Sequence, residues 1–328
     1  MTGHVQILGI GHSTPTQVLT NEELIARFGL GVDADWIEER TGIQDRHWLE
    51  DGQTTSDLAT AAAELALERA GVLPSQVERI VLATISPDHP SPSTATIVAR
   101  KLGARCAAFD LSAACAGFLY GLELGAMSVN GGARNVLVIA ADARSRFIDK
   151  HDPRSAVLFA DGAAAVLLGP GDQPGLLAIH LGAEGRERMG AHMPAGGAAM
   201  PTTAATVEAG LHFLVVDGKR EIFDLFVAYT REACDAVLAR AGLAMGDVDL
   251  FITHQGNARM VELTVEALGV DPARAMNNIA HHGNTSSATV PIALSEAIAA
   301  GRLTSGQTAL LTSVGAGYTF GAALYRMP

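Results

Sequence analysis

Cysteine is scarce in this chain of 328 residues: Cys106, Cys115 and Cys234 are all it has. So few, and an odd number, exclude a disulfide framework and fit the cytoplasm, a reducing compartment in which a thiol stays free to react. Long hydrophobic runs are missing too. No stretch of about 18 apolar residues is uninterrupted, so no membrane span is expected. Met1-Thr2-Gly3-His4 leads straight into a strand-like segment, and no signal peptide is expected either. Basic residues are the minority, 23 Lys and Arg against 35 Asp and Glu, for a net charge of −12. That balance argues against nucleic acid as a main partner, and an acidic protein partner would need a local basic patch.

What the chain does have is apolar mass and glycine. Hydrophobic residues make up 48% and glycines number 35, enough for a large buried core and, at this length, about two domains. The stretch Phe109-Asp110-Leu111-Ser112-Ala113-Ala114-Cys115-Ala116-Gly117-Phe118 sets a cysteine among residues too small to shield it. Ala107 to Leu111 can finish a strand, and Phe118, Leu119, Leu122 and Leu124 recur at near-helical spacing, so Cys115 is expected where a strand turns into a helix. The unpaired amides at a helix start favour a thiolate, which makes a nucleophile. A buried structural cysteine is the bland alternative.

Two later turns bear on that choice. Asp249 to Thr253 is an apolar run ending on His254-Gln255-Gly256-Asn257, and Ile279-Ala280-His281-His282-Gly283-Asn284-Thr285-Ser286-Ser287 opens onto the apolar segment Val290 to Ile298. A thiolate can carry an acyl group as a thioester, but forming a carbon–carbon bond on it also needs donors for a developing enolate oxygen. Imidazole and carboxamide are such donors. A metal reading of His281 and His282 lacks further ligands at suitable spacing, and no cofactor or metal is expected.

These turns, with the glycine-rich Gly315-Ala316-Gly317-Tyr318-Thr319-Phe320-Gly321, resemble the β-ketoacyl-acyl-carrier-protein synthase III family of the thiolase superfamily, from about Ile7 to Tyr325. The resemblance implies an α/β thiolase-like fold, two pseudo-duplicated halves forming a layered α-β-α-β-α core. It implies Cys115, His254 and Asn284 as catalytic residues, and an oxyanion hole from the backbone N–H groups of Cys115 and Ala316. It places Trp36 and Arg40 at the mouth of a coenzyme A tunnel, with Asn257 and Gly315 as further substrate-binding residues. Gln255, Arg259, Lys219 and Arg220 are the candidate docking residues for an acyl carrier protein. The substrates would be acyl-CoA and a malonyl thioester, and the assembly a homodimer. In the family a bulky aromatic often precedes the Pro-Ser of the loop at Pro92-Ser93; here Ser91 stands there, which implies a deeper acyl pocket.

Independently of that likeness, the second half repeats the first. Ala70-Gly71-Val72-Leu73-Pro74 followed by an apolar strand returns 171 residues later as Ala241-Gly242-Leu243-Ala244-Met245, again followed by one. The same offset carries Cys115 to position 286, close to Asn284. Such a duplication of strand–helix units lets turns from both halves meet at a central pseudo-dyad. Gly169 to Gly175 is the candidate linker, giving halves of 1–170 and 171–328, and Met193 to Thr206 reads as a mobile surface segment.

Bland readings stand beside several of these residues. Trp36 and Arg40 fit an exposed amphipathic turn, Asn257 a turn-forming Asn after glycine, and Lys219-Arg220 a solvated face. Three alternatives stand beside the condensing reading: a relative condensing or transferring an unusual acyl group to build a polyketide, quinolone-like product, ester or amide; a cysteine hydrolase, which would also use Cys, His and Asn; and an inactive assembly subunit, against which the presence of all three residues speaks.

Overall fold

The computed structural model describes residues 4–187, 189–216 and 219–328, the side chains of Lys219 and Arg220 excepted. Strands β1 (His4–Ser13), β2 (Arg79–Ala83), β3 (Ala107–Leu111), β4 (Val136–Ala143) and β5 (Asp161–Gly171) form one sheet in the order β1-β5-β4-β2-β3. Strands β6 (Leu176–Ala183), β7 (Leu250–Thr253), β8 (Thr308–Gly315) and β9 (Thr319–Arg326) form a second, in the order β6-β9-β8-β7. The two sheets share one plan. In each, a first strand pairs antiparallel with the last, the last pairs antiparallel with a central strand, and that strand pairs parallel with the next. The repeat seen at Ala70 and Ala241 is therefore a repeat of topology.

Helices α1 (Ala34–Thr41), α2 (Thr55–Ala70), α3 (Gly117–Asn130), α4 (Lys219–Ala241), α5 (Ala258–Leu268) and α6 (Thr289–Ala299) complete the frame. Helices α3 and α6 lie between the sheets, where Phe118, Leu119, Leu122, Val290, Ile292 and Leu294 pack against both Val138 and Val166 of one sheet and Ile252 and Leu311 of the other. With apolar neighbours on both sides, these helices need no wide polar face, and each buried Leu or Phe contributes about 2 kcal/mol. Helix α3 comes close because it lacks side chains where it touches the sheet: a Cβ on Gly125 would stand 2.6 Å from Val138 and 2.7 Å from Leu168. Leu124, which shares the near-helical spacing of Phe118, Leu119 and Leu122, is exposed. Helix α2 covers the outer face of the first sheet and α4 and α5 that of the second, so the layers run α-β-α-β-α.

Between the sheets' chain segments, β5 runs to Gly171 and β6 begins at Leu176. The segment from Met193 to Thr206 is less free than its composition suggests. Ala195 is buried, Met193 lines a cavity, and Thr203 caps a short helix over Ala204–Glu208.

Candidate active site

Four turns converge on one cavity of about 610 Å³, whose lining includes Cys115, His254, Asn284, Gly256, Gly315 and Ala316. Cys115 sits in the 3-10 turn Ala114–Ala116, between β3 and α3, as its sequence placed it. The preceding residue, Ala114, has a left-handed φ of 46°. Its counterpart ahead of α6 is Ser286, with φ 56°. This non-glycine geometry costs on the order of 1 kcal/mol each time; after the first kink Cys115 lines the cavity, and after the second Ser287 is buried against Asp142. Matching these kinks pairs Cys115 with Ser287, so Asn284 is the counterpart of Ser112, three positions ahead of the nucleophile.

The Cys115 turn is clamped to the glycine-rich turn. Ser313 Oγ donates to the Cys115 carbonyl at 2.8 Å and Thr319 Oγ1 to the Ala113 carbonyl at 2.7 Å. Gly315 presses so close that a Cβ there would lie 2.8 Å from the Cys115 amide nitrogen. Any side chain would push the amide out of place. Among the described residues, neither the Cys115 nor the Ala316 N–H appears in a backbone hydrogen bond between turns or caps.

One expectation is corrected at Cys115. Burial pushes its thiol up to about 11, against the pull of the Ser286 hydroxyl 3.8 Å away. The resting group is a thiol. The amides at the start of α3 act on charge as it forms during attack rather than on a standing thiolate.

His254 follows β7, its backbone N–H held by the Thr312 carbonyl at 2.9 Å. It is buried, and burial lowers the imidazole to about 4, so the ring is neutral at ordinary pH. Its Nδ1 lies 2.7 Å from Thr289 Oγ1. The single proton of that hydroxyl can go to the Ser286 carbonyl, 3.1 Å away, or to Nδ1; in the tautomer where it goes to Nδ1, Nε2 carries the ring proton and serves as a donor in the cavity. Asn284 is fixed by its own turn: its Oδ1 accepts the Ser286 N–H at 2.9 Å, which aims Nδ2 the other way. Its backbone pairs with Leu158 and Ala160 on the stretch carrying Phe159.

Gly256 packs against both donors. A Cβ built on it would fall 2.8 Å from His254 Nε2 and 3.6 Å from Asn284 Nδ2. Gly256→Ala would put a methyl against both nitrogens and is expected to lower the malonyl-dependent step by about 100-fold, while acyl transfer to Cys115 continues. Separate assays of acyl loading and of malonyl decarboxylation check this; equal loss of both would contradict it.

The depressed imidazole also has a stability sign. An unfolded His254 takes up its proton near pH 6.5 and the folded one only near about 4. Stability is therefore full above the higher value and falls as pH drops through the window, by about 3 kcal/mol in all. Urea midpoints of wild type and His254→Gln are expected to diverge over that range, the wild type losing more. Parallel curves would contradict it.

The remaining sequence-predicted residues divide. Gln255 is no docking residue: it is buried, its Nε2 donates to the Thr253 and Met276 carbonyls, and its Oε1 accepts from the Asn278 N–H. It braces the histidine loop. Asn257 lines the cavity, but its side chain is committed, donating to the Arg40 carbonyl at 3.0 Å and capping α5 through the Arg259 N–H. Arg259 is exposed and its guanidinium donates to the Glu39 carbonyl, which ties α5 to the end of α1. Trp36 and Arg40 stand at that same junction rather than in the cavity wall, with the guanidinium 4.8 Å over the indole. Lys219 and Arg220 begin α4, and their side chains lie outside the described residues. His281 and His282 pair with Asp45 and Glu296.

The sequence reading missed Asp142. Buried at the end of β4, it accepts from the Ile85 N–H and the Ser86 and Ser287 hydroxyls, pinning the asparagine turn to the first sheet. A charged residue inside the apolar run Val136 to Ala143 was the available signal.

Comparisons with known proteins find relatives along most of the chain. The profile of 3-oxoacyl-[acyl-carrier-protein] synthase III matches residues 109–185, and its C-terminal profile matches residues 238–327. A β-ketoacyl-[acyl-carrier-protein] synthase III of Roseiflexus castenholzii is 43% identical over 329 residues, 99% of each chain. One from Rhodopirellula baltica is 42% identical over 342 residues, 98% of each. Among solved structures, a 3-oxoacyl-(acyl carrier protein) synthase III of Pseudomonas aeruginosa superposes with TM-score 0.90 at 35% identity, covering 99% of this chain and 98% of that one. The priming β-ketosynthase of the R1128 polyketide biosynthetic pathway does so with TM-score 0.90 at 34% identity, covering 99% and 97%. The layered thiolase-like fold is thereby established.

Proposed function

We infer residue roles from one premise: this chain belongs to the β-ketoacyl-[acyl-carrier-protein] synthase III family, acyltransferases that condense an acyl thioester with a malonyl thioester. Cys115 attacks the acyl thioester, its S–H proton leaves with the departing thiol, and the acyl group becomes a cysteine thioester. The Cys115 and Ala316 amides, with no backbone partner between turns, receive the tetrahedral oxyanion. The malonyl thioester then places its carbonyl oxygen between His254 Nε2 and Asn284 Nδ2. Carbon dioxide leaves, the carbanion attacks the acyl carbon, and the cysteine sulfur takes up a proton as the β-ketoacyl thioester departs. A neutral imidazole suits this step, since it donates a hydrogen bond without handing its proton to the carbanion. No metal or other cofactor enters the scheme.

The observation that carries this reading is the convergence of Cys115, His254 and Asn284 on one cavity, with His254 Nε2 and Asn284 Nδ2 both beside Gly256. Incubation with an acyl-CoA and either malonyl carrier protein or malonyl-CoA tests it. A β-ketoacyl product one malonyl-derived unit longer is expected, and free acid as the main product would overturn it.

Partners follow from the same reading. Arg40 and Arg259, both exposed at the junction of α1 and α5, are the proposed contacts for a phosphopantetheine-bearing partner, coenzyme A or acyl carrier protein. We read residues 1–170 as the half supplying the nucleophile and 171–328 as the half supplying both donors. Strand β3 is the edge of its sheet and exposes Phe109, which suits edge-to-edge pairing in a homodimer. Among the described residues no helix is long and apolar enough to cross a membrane, and a cytoplasmic setting would keep Cys115 reduced. A second reading, priming of a secondary-metabolite pathway, draws on the likeness to the R1128 priming enzyme.

A further inference from the structure

Arg144 is a buried charge that this mechanism leaves unused. It follows β4 directly, is 2% exposed, and lines the same cavity as Cys115 and Phe159. No ion pair or side-chain hydrogen bond joins its guanidinium to any described residue, and its Nε is buried without a partner. The nearby carboxylates are already committed. Asp142 serves Ile85, Ser86 and Ser287, and Asp161 serves the Leu49 amide and Ser145. What flanks the guanidinium is aromatic: its carbon lies 5.5 Å from the Phe159 ring centre and 5.9 Å from that of Phe147.

A buried cation without an acceptor is costly unless a ligand supplies one. The ring faces offset part of that cost and leave the N–H edge directed elsewhere. Asn257 and Met260 line the cavity from the α5 side, where Asn257 donates to the Arg40 carbonyl. Arg144 lines it from the end of β4, beside Phe159. With the pantetheine entering past Arg40, as proposed above, the group that meets Arg144 belongs to the acyl chain.

We propose that Arg144 is a specificity-determining residue, selecting acyl thioesters whose acyl group ends in a carboxylate: a short dicarboxylic acid joined to coenzyme A through one of its two carboxyl groups. A carboxylate accepts two parallel N–H bonds from a guanidinium and neutralises its charge. A plain hydrocarbon chain offers neither, and its binding would strip the guanidinium of any water. The inference rests on Cys115 accepting the acyl group. The loading step stays balanced: cysteine thiol and acyl-CoA give the cysteine thioester and free coenzyme A, and the distal carboxylate is unchanged.

The test measures the rate of acyl loading on Cys115 by intact-protein mass, with matched pairs of acyl-CoA. Succinyl-, glutaryl- and adipyl-CoA are each set against the neutral analogue in which an isopropyl group replaces the distal carboxylate. In the wild type at least one acid is expected to load about tenfold or more faster than its neutral partner. Arg144→Leu is expected to reverse that preference and Arg144→Lys to keep part of it. Neutral partners loading as fast as or faster than every acid would overturn the proposal, and this wild-type comparison decides even where Arg144→Leu does not fold. An unchanged ratio in a folded Arg144→Leu would overturn it as well. If neutral chains load as fast as or faster than every acid, only the role of Arg144 has failed; if no acyl-CoA loads, the nucleophile assignment fails with it.

Discussion

Cys115→Ala is expected to abolish condensation, by at least about 10⁴-fold, while leaving malonyl decarboxylation measurable. The sulfur carries the acyl group, and nothing else in the cavity can form that bond in the right place. The donors for the malonyl carbonyl are contributed by other turns and do not depend on the sulfur. Ala at this site also removes the side chain without disturbing the clamp, because Ser313 holds the Cys115 carbonyl and not its thiol. Intact-protein mass should show no adduct with any acyl-CoA, whereas carbon dioxide is still released from a malonyl thioester. Loss of both reactions together would mean that the substitution collapsed the site.

His254→Ala and Asn284→Ala form the complementary case. Each is expected to leave acyl loading of Cys115 within about threefold of wild type and to lower condensation by about 10² to 10³, since each removes one donor to the enolate oxygen. The pair should be strongly non-additive, because a single remaining donor no longer fixes the carbonyl between two points. Asn284→Asp should fail as badly as Ala. Its Oδ1 would still accept from the Ser286 N–H, but the second oxygen would turn an acceptor, and a charge, toward the enolate. Separate rates for loading and discharge check all three variants. A loading defect as large as the condensation defect would place these residues in the first half-reaction instead.

The three turns were legible in the sequence because each interrupts an apolar segment with side chains that a core does not need. The duplication was legible from Ala70-Gly71 and Ala241-Gly242, since a helix end, a short turn and a buried strand recur as a unit. The charge state of the nucleophile was not legible. A helix start near Cys115 argued for a thiolate, but the cavity walls that bury the thiol come from residues distant in the chain and push it to about 11. Gln255 was misread for a related reason. Adjacent to His254 on a loop, it looked free to meet a partner, yet Met276 and Asn278 return from far along the chain to occupy its amide. Arg144 carries no local signal at all, since only folding reveals that Asp142 and Asp161, though near, spend their hydrogen bonds elsewhere.

The most direct test of the central claim follows a preloaded acyl-Cys115 through one turnover. Wild-type protein carrying a single acyl adduct is freed of excess acyl-CoA, divided, and incubated with or without a malonyl thioester, with adduct and product followed by mass. The adduct should persist without malonyl and disappear with it, yielding one β-ketoacyl thioester for each adduct lost. An adduct that decays to free acid at the same rate in both samples would contradict the account and make the chain a thioester hydrolase.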